Sequence, residues 1–155
     1  MTSYTIETPE AMHELGLSLG ATFKAGDLVL LTGPLGAGKT TLTRGIGEAL
    51  GAIGNVSSPT FVIARTHKLV QRECVFVHVD AYRLSSAAEL DDLDIDFENS
   101  ITVVEWGKGY TDGITDRWLE IEIERDHTGE SEVRQVKVTE HNTAGAKNAP
   151  EEKNV

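Results

Sequence analysis

The chain is poor in cysteine, aromatic residues, positive charge and long apolar runs. Cys74 is the single cysteine among 155 residues, so no internal disulfide can form, which fits a reducing compartment. No apolar run approaches the roughly 18 residues needed to cross a bilayer. Residues 1–10 lack the basic start and apolar core of a secretory leader. A cytoplasmic protein without a membrane partner is therefore expected. Lys and Arg number 14 against 25 Asp and Glu, for a formal net charge of -11. Holding a phosphate backbone needs Lys and Arg to displace its counterions, so this acidic chain is not expected to hold a nucleic acid by itself. No Cys/His cluster has the spacing of a metal site, and no internal repeat is present.

What remains is an ordinary globular composition, with 39% hydrophobic residues and a length suited to one domain. Residues 4–7 alternate weakly, as a short strand does. Thr8-Pro9 reads as an N-cap followed by proline at the first helical position. Met12, Leu15, Leu19 and Phe23 then recur at helical spacing, and Gly26 is expected to end that unit. Residues 28–31 form a continuous apolar run, as in a strand covered on both faces. After a glycine-rich turn, Leu42, Ile46, Ala49 and Leu50 share one helical face, and Gly51 stands where a helix-terminating glycine belongs.

Strands are expected at 61–64, 75–79 and 101–104. Leu119, Ile121 and Ile123 alternate with Glu120, Glu122 and Glu124, predicting a half-exposed strand paired through a turn with 133–138. The acid-rich run 89–98 reads as a solvated face that could also dock a basic partner. One domain over 1–139 is expected, with a disordered polar tail over 140–155.

Gly33-Pro34-Leu35-Gly36-Ala37-Gly38-Lys39-Thr40 fits G-x-x-x-x-G-K-[ST]. Such a loop must bring successive backbone N–H groups close around phosphates, and glycines permit both the approach and the dihedrals. The following helix adds its N-terminal dipole. Lys39 would reach the β- and γ-phosphates, the Thr40 hydroxyl would take Mg²⁺, and Thr41 could bond the α-phosphate. The loop follows an apolar strand and opens an amphipathic helix, the context that distinguishes it from a solvated glycine-rich turn.

A phosphate-binding loop usually needs a carboxylate at the end of a neighbouring strand. Asp80 and Glu105 both stand there, although an acid after a strand also caps the next helix. Ser57-Ser58-Pro59-Thr60 is either a γ-phosphate sensor or a plain turn shaped by Pro59. His78, inside an apolar strand, reads as a hydrogen-bonded core histidine. Trp106 either packs on the site or fills core.

Taken together, the phosphate loop with Thr41, then Ser58-Pro59-Thr60-Phe61, then His78-Val79-Asp80-Ala81-Tyr82-Arg83-Leu84, then Glu105-Trp106 resemble the TsaE family in order and spacing. The resemblance implies a compact P-loop NTPase-type α/β fold in three layers: a mixed, mostly parallel sheet flanked by helices, ending in an antiparallel hairpin. It implies ATP and Mg²⁺, with Thr40 and Glu105 as metal ligands and Asp80 as the Walker B-like acid. Gly33, Gly36, Ala37, Gly38, Lys39, Thr40, Thr41, Thr60 and Trp106 would contact the nucleotide, and Lys39, Asp80 and Glu105 would carry catalysis. It also implies partnership with TsaB and TsaD, which modify adenosine 37 of tRNAs reading codons that begin with A, so that tRNA is met through the complex. The chain departs from the family at Pro34, which supplies no N–H where Asp is usual, near His67, where Tyr is frequent, and at Asp94, where Gly is frequent.

Two other functions fit the phosphate loop. A small-molecule kinase would need an arginine-rich lid, whereas the arginines here are scattered. A nucleotide-gated binding module would use the loop without catalysis. The guanine-reading N-K-x-D sequence is absent.

Overall fold

The computed structural model describes residues 1–56, 63–126, 128 and 130–143. Seven strands form one sheet in the order β1-β7-β6-β2-β5-β4-β3. Their ranges are β1 Thr2–Ile6, β2 Leu28–Thr32, β3 Ala64–Lys68, β4 Val75–Asp80, β5 Ser100–Glu105, β6 Arg117–Arg125 and β7 Arg134–Asn142. The central strands β6, β2, β5 and β4 are parallel to one another. β1, β7 and β3 join antiparallel at the two sides.

The helices are α1 Pro9–Gly20, α2 Lys39–Leu50 and the short α3 Ala87–Asp91. Thr8 caps α1, its Oγ1 accepting from Ala11 N at 3.1 Å, with Pro9 in the first turn. This helix ends at Gly20, before the expected Gly26. Phe23 N bonds Gly20 O at 3.1 Å instead of continuing the helical ladder. Its ring still reaches the core from the turn. Gly51 closes α2 in the left-handed conformation, with φ 75°.

Two apolar layers cover the sheet. On one face α1 and α2 bring Met12, Leu15, Leu42 and Ile46 against Val29, Leu31, Phe76, Ile101, Val103, Ile121 and Ile123. On the other face, α3 and its flanking turns place Leu84 and Leu90 over Leu28, Leu30, Val77, Val79 and Val104. Each fully buried aliphatic side chain contributes about 1.5–3 kcal/mol. The third layer is thin, because the acid-rich segment supplies one five-residue helix. That segment is otherwise a solvated face around buried Leu90.

The β6–β7 hairpin has the alternation expected of it, with Ile121 and Ile123 buried. On its opposite face Glu120 lies 3.6 Å from Lys108 and 3.0 Å from His141. A hydrogen bond to Glu120 pushes the Glu122 carboxyl up, and desolvation adds to it. β7 runs on to Asn142, pairing Leu119↔Glu140, Trp118↔His141 and Arg117↔Asn142. The folded unit thus extends past the expected limit at 139, since β6 is long enough to template three more residues and Trp118 stacks on His141 at 5.0 Å. Strand β3 begins at Ala64, where the expected 61–64 strand was to end. Phe61 and Val62 lie outside the described residues.

Candidate functional site

The phosphate loop begins where β2 ends. Pro34 O accepts from Ala37 N at 3.0 Å, a tight turn whose third residue, Gly36, has φ 77°. Gly38 follows at φ 108° and serves as N-cap of α2. Both dihedrals lie where a Cβ is strained, and a Cβ on Gly36 would also press on Arg125 Nη1. Because the N-cap is glycine, no side chain satisfies the first N–H groups of α2, which is the arrangement that receives an anion.

Parallel strands bring the acids to the same edge. Asp80 ends β4 and Glu105 ends β5, and the two are register partners. Lys39, first residue of α2, lines the same cleft as both. Its Nζ donates to Gly33 O at 2.5 Å and lies 3.8 Å from Glu105 Oε1. Burial lowers the Lys39 pKa from its ordinary value, while the charges of Glu105 and then Asp80 work against that fall. Besides facing the cleft, Asp80 caps the turn after β4, its Oδ1 accepting from Tyr82 N at 3.0 Å. Trp106 takes a left-handed backbone at φ 60°, unusual for a bulky residue. Its ring comes to 4.5 Å from Lys39 Nζ and packs against Tyr82 at 5.7 Å between centroids.

These residues line one cleft of about 710 Å³: Leu35, Gly36, Gly38, Lys39, Thr40, Thr41, Asp80, Tyr82, Glu105 and Trp106. The structure therefore brings together Lys39, Thr40, Thr41, Asp80, Glu105 and Trp106. Ala37 is buried beneath the loop and Gly33 lies at its base. Thr60 and the rest of the Ser57–Thr60 segment fall outside the described residues. A second pocket, of about 140 Å³, lies beside the loop and shares Gly36, Gly38 and Thr41 with the cleft. Thr8, Pro9, Met12, Ala37, Glu132 and Arg134 complete it.

Sequence reasoning missed some of this neighbourhood. Arg134 Nη2 reaches Gly36 O at 3.4 Å. Arg125 donates from Nη1 to Leu35 O at 3.0 Å. Neither arginine has a local signal, because both arrive through the hairpin far along the chain. Tyr82 was legible only as part of a family pattern. His78 is the buried, hydrogen-bonded histidine expected, and its partner proves to be Glu105, at 2.7 Å.

The site fits a nucleotide and a divalent cation on its own geometry. It has an uncapped helix start, a partly desolvated ammonium and two adjacent carboxylates facing one cleft. Among the described residues no helix is long and apolar enough to cross a membrane.

Comparison with known proteins places the chain in a family. The family model for threonylcarbamoyl adenosine biosynthesis protein TsaE matches residues 6–136. A Streptomyces coelicolor tRNA threonylcarbamoyladenosine biosynthesis protein TsaE is 53% identical over 133 residues, covering 83% of this chain and 89% of that protein. The Mycobacterium bovis protein of the same name is 45% identical over 130 residues, 78% of this chain and 77% of its own length. Among solved structures, Bacillus subtilis YdiB superimposes with a TM-score of 0.72 at 26% identity, covering 97% of this chain and 92% of that one. This chain belongs to the TsaE family, whose members serve tRNA threonylcarbamoyladenosine biosynthesis.

Proposed function

We propose that the cleft binds ATP with Mg²⁺ and hydrolyses it slowly, and that this ATPase acts in the cytoplasm on a complex of TsaB and TsaD, meeting tRNA only through that complex. The observation that carries the reading is the meeting of Lys39, Thr40, Asp80 and Glu105 in one cleft at the uncapped start of α2. Thr40 and Glu105 would hold the metal. A metal held there would supply charge neutralisation for the phosphates as negative charge develops on them.

The protein's own groups supply the rest. The backbone N–H groups of the loop and the dipole of α2 bind phosphate. Lys39 gives up its contacts with Gly33 and Glu105 to pair with the β- and γ-phosphates, and Thr41 bonds the α-phosphate. Asp80 or Glu105 orients the attacking water. Because Thr41 marks the α-phosphate side, the nucleobase belongs in the smaller pocket between Thr8-Pro9 and Arg134.

Slow turnover by the isolated chain is supported by the lining of the cleft. Among the described residues it contains no arginine to stabilise the transferring phosphoryl group, a contribution worth about 10³–10⁵ in rate where one is present. A partner would supply it. The same lining speaks against a small-molecule kinase, which needs a cationic lid over two substrates.

The test is ATP hydrolysis by the purified protein, alone and with TsaB and TsaD, with Lys39→Ala as control. Weak activity alone, strong stimulation by the partners and loss of both in the variant are expected. Rapid turnover without partners, at about 1–100 s⁻¹, would contradict a partner-completed site. Binding without hydrolysis, even with partners, would select a nucleotide-gated module.

A further inference from the structure

His78 is fully buried in β4, and its ring stacks on Phe76 at 6.5 Å with 16° between the planes. It lies on the same face of the strand as Asp80, two residues earlier. Glu105 on β5 is register partner to Asp80, so His78 meets it on the diagonal. His78 Nε2 and Glu105 Oε2 are 2.7 Å apart. The other carboxylate oxygen, Oε1, faces Lys39 and the cleft. His78 Nδ1 is buried with no partner among the described residues.

These contacts fix the tautomer. An ionised carboxylate only accepts hydrogen bonds, so the proton between the two groups sits on Nε2. Nε2–H therefore donates to Glu105 Oε2. The consequence falls on Glu105. With Oε2 held from behind, the carboxylate cannot turn both oxygens onto the Lys39 ammonium, and one oxygen stays turned to the cleft.

We propose that His78 is a positioning residue, whose Nε2–H locks Glu105 so that Oε1 alone is presented to a divalent cation. This rests on the Mg²⁺-ATP reading of the cleft. Partners behind a metal ligand commonly tune affinity for the ion by about 10–100-fold.

Two measurements test it. In the nucleotide-free wild-type protein, ¹⁵N NMR of labelled histidine should find the His78 ring protonated at Nε2. Calorimetry of ATP binding across a Mg²⁺ series should then compare wild type with His78→Leu and His78→Gln. Gln keeps an N–H donor near the position of Nε2, and Leu fills the space without one. The Leu variant should raise the Mg²⁺ midpoint about tenfold or more, leave Mg²⁺-free ATP binding unchanged, and be largely rescued by Gln. A Nε2 found unprotonated, a Mg²⁺ midpoint unmoved by Leu, or equal losses in Leu and Gln would each overturn the positioning role while the nucleotide reading stands. Should Leu not fold, the tautomer and the Gln midpoint decide it. Wild-type ATP binding that ignores Mg²⁺ would instead overturn the metal reading of the cleft, and the positioning role with it.

Discussion

Lys39 sits where burial and attraction pull in opposite directions. Desolvation lowers its pKa, and Glu105 and Asp80 only partly oppose the fall. Phosphates arriving beside it would stabilise the ammonium and raise the pKa again. The free protein then holds this proton less tightly than the ATP complex does. Affinity is full below the lowered pKa of the free state and declines as pH rises from there toward the higher pKa of the bound state. ATP titrations in alkaline buffers of differing ionisation heat should reveal proton uptake on binding. Uptake that persists in Lys39→Met would assign it to another group. Asp94 offers a second test at this scale. It is exposed and holds φ 54°, a region that costs a non-glycine residue about 1 kcal/mol, somewhat less for Asp. Asp94→Gly should raise stability by a few tenths to about 1 kcal/mol, the relieved strain exceeding the added chain entropy. A denaturant midpoint that falls would refute it. The residues legible from the sequence, Lys39, Thr40, Asp80 and Glu105, were those fixed by local rules: a loop pattern, and acids at strand ends. Arg134 and the His78–Glu105 contact depend on register and were not.

At the scale of elements, α1 and α2 touch through glycines. A Cβ on Gly16 would collide with Leu42 O and come within 3.0 Å of the Gly45 Cα, and one on Gly45 would collide with His13 O. The backbones thus meet without intervening side chains, and backbone atoms cannot yield as a flexible side chain would. Because α2 starts at Lys39, separating the helices would also tilt the phosphate loop. Gly16→Ala should cost about 1–3 kcal/mol, as overpacking generally does, and weaken ATP binding. Ser18→Ala, on the exposed side of the same helix, should do neither. Equal thermal midpoints for the two variants would show that the close approach carries no weight. The period-2 and period-3.6 patterns made most elements legible, α1, α2, β4, β5 and β6 among them. Their ends were less so. Gly26 looked like the end of α1, but a turn closes the helix at Gly20. The polar sequence after residue 139 carries no strand signal, and pairing with β6 makes it one through Asn142.

At the scale of the whole molecule, charge decides what the chain can hold unaided. It carries 14 Lys and Arg against 25 Asp and Glu, and many of the cations are already engaged. Lys108, Arg117 and Lys137 pair with Glu120, Glu140 and Glu124. Arg44, Arg72, Arg125 and Arg134 donate to backbone carbonyls. The exposed pairs add little stability, about 0–1 kcal/mol each, but they leave few cations to displace counterions from RNA. Binding of tRNA by the isolated chain should therefore be weaker than about 0.1 mM near physiological salt. Fluorescence anisotropy of labelled tRNA, with the chain alone and with TsaB and TsaD, checks this. Signal only in the presence of the partners would place the RNA contact on them. Micromolar binding by the chain alone, falling steeply with added salt, would mean that a basic surface gathers despite the net charge. The chain would then have to be reconsidered as a direct reader of the RNA.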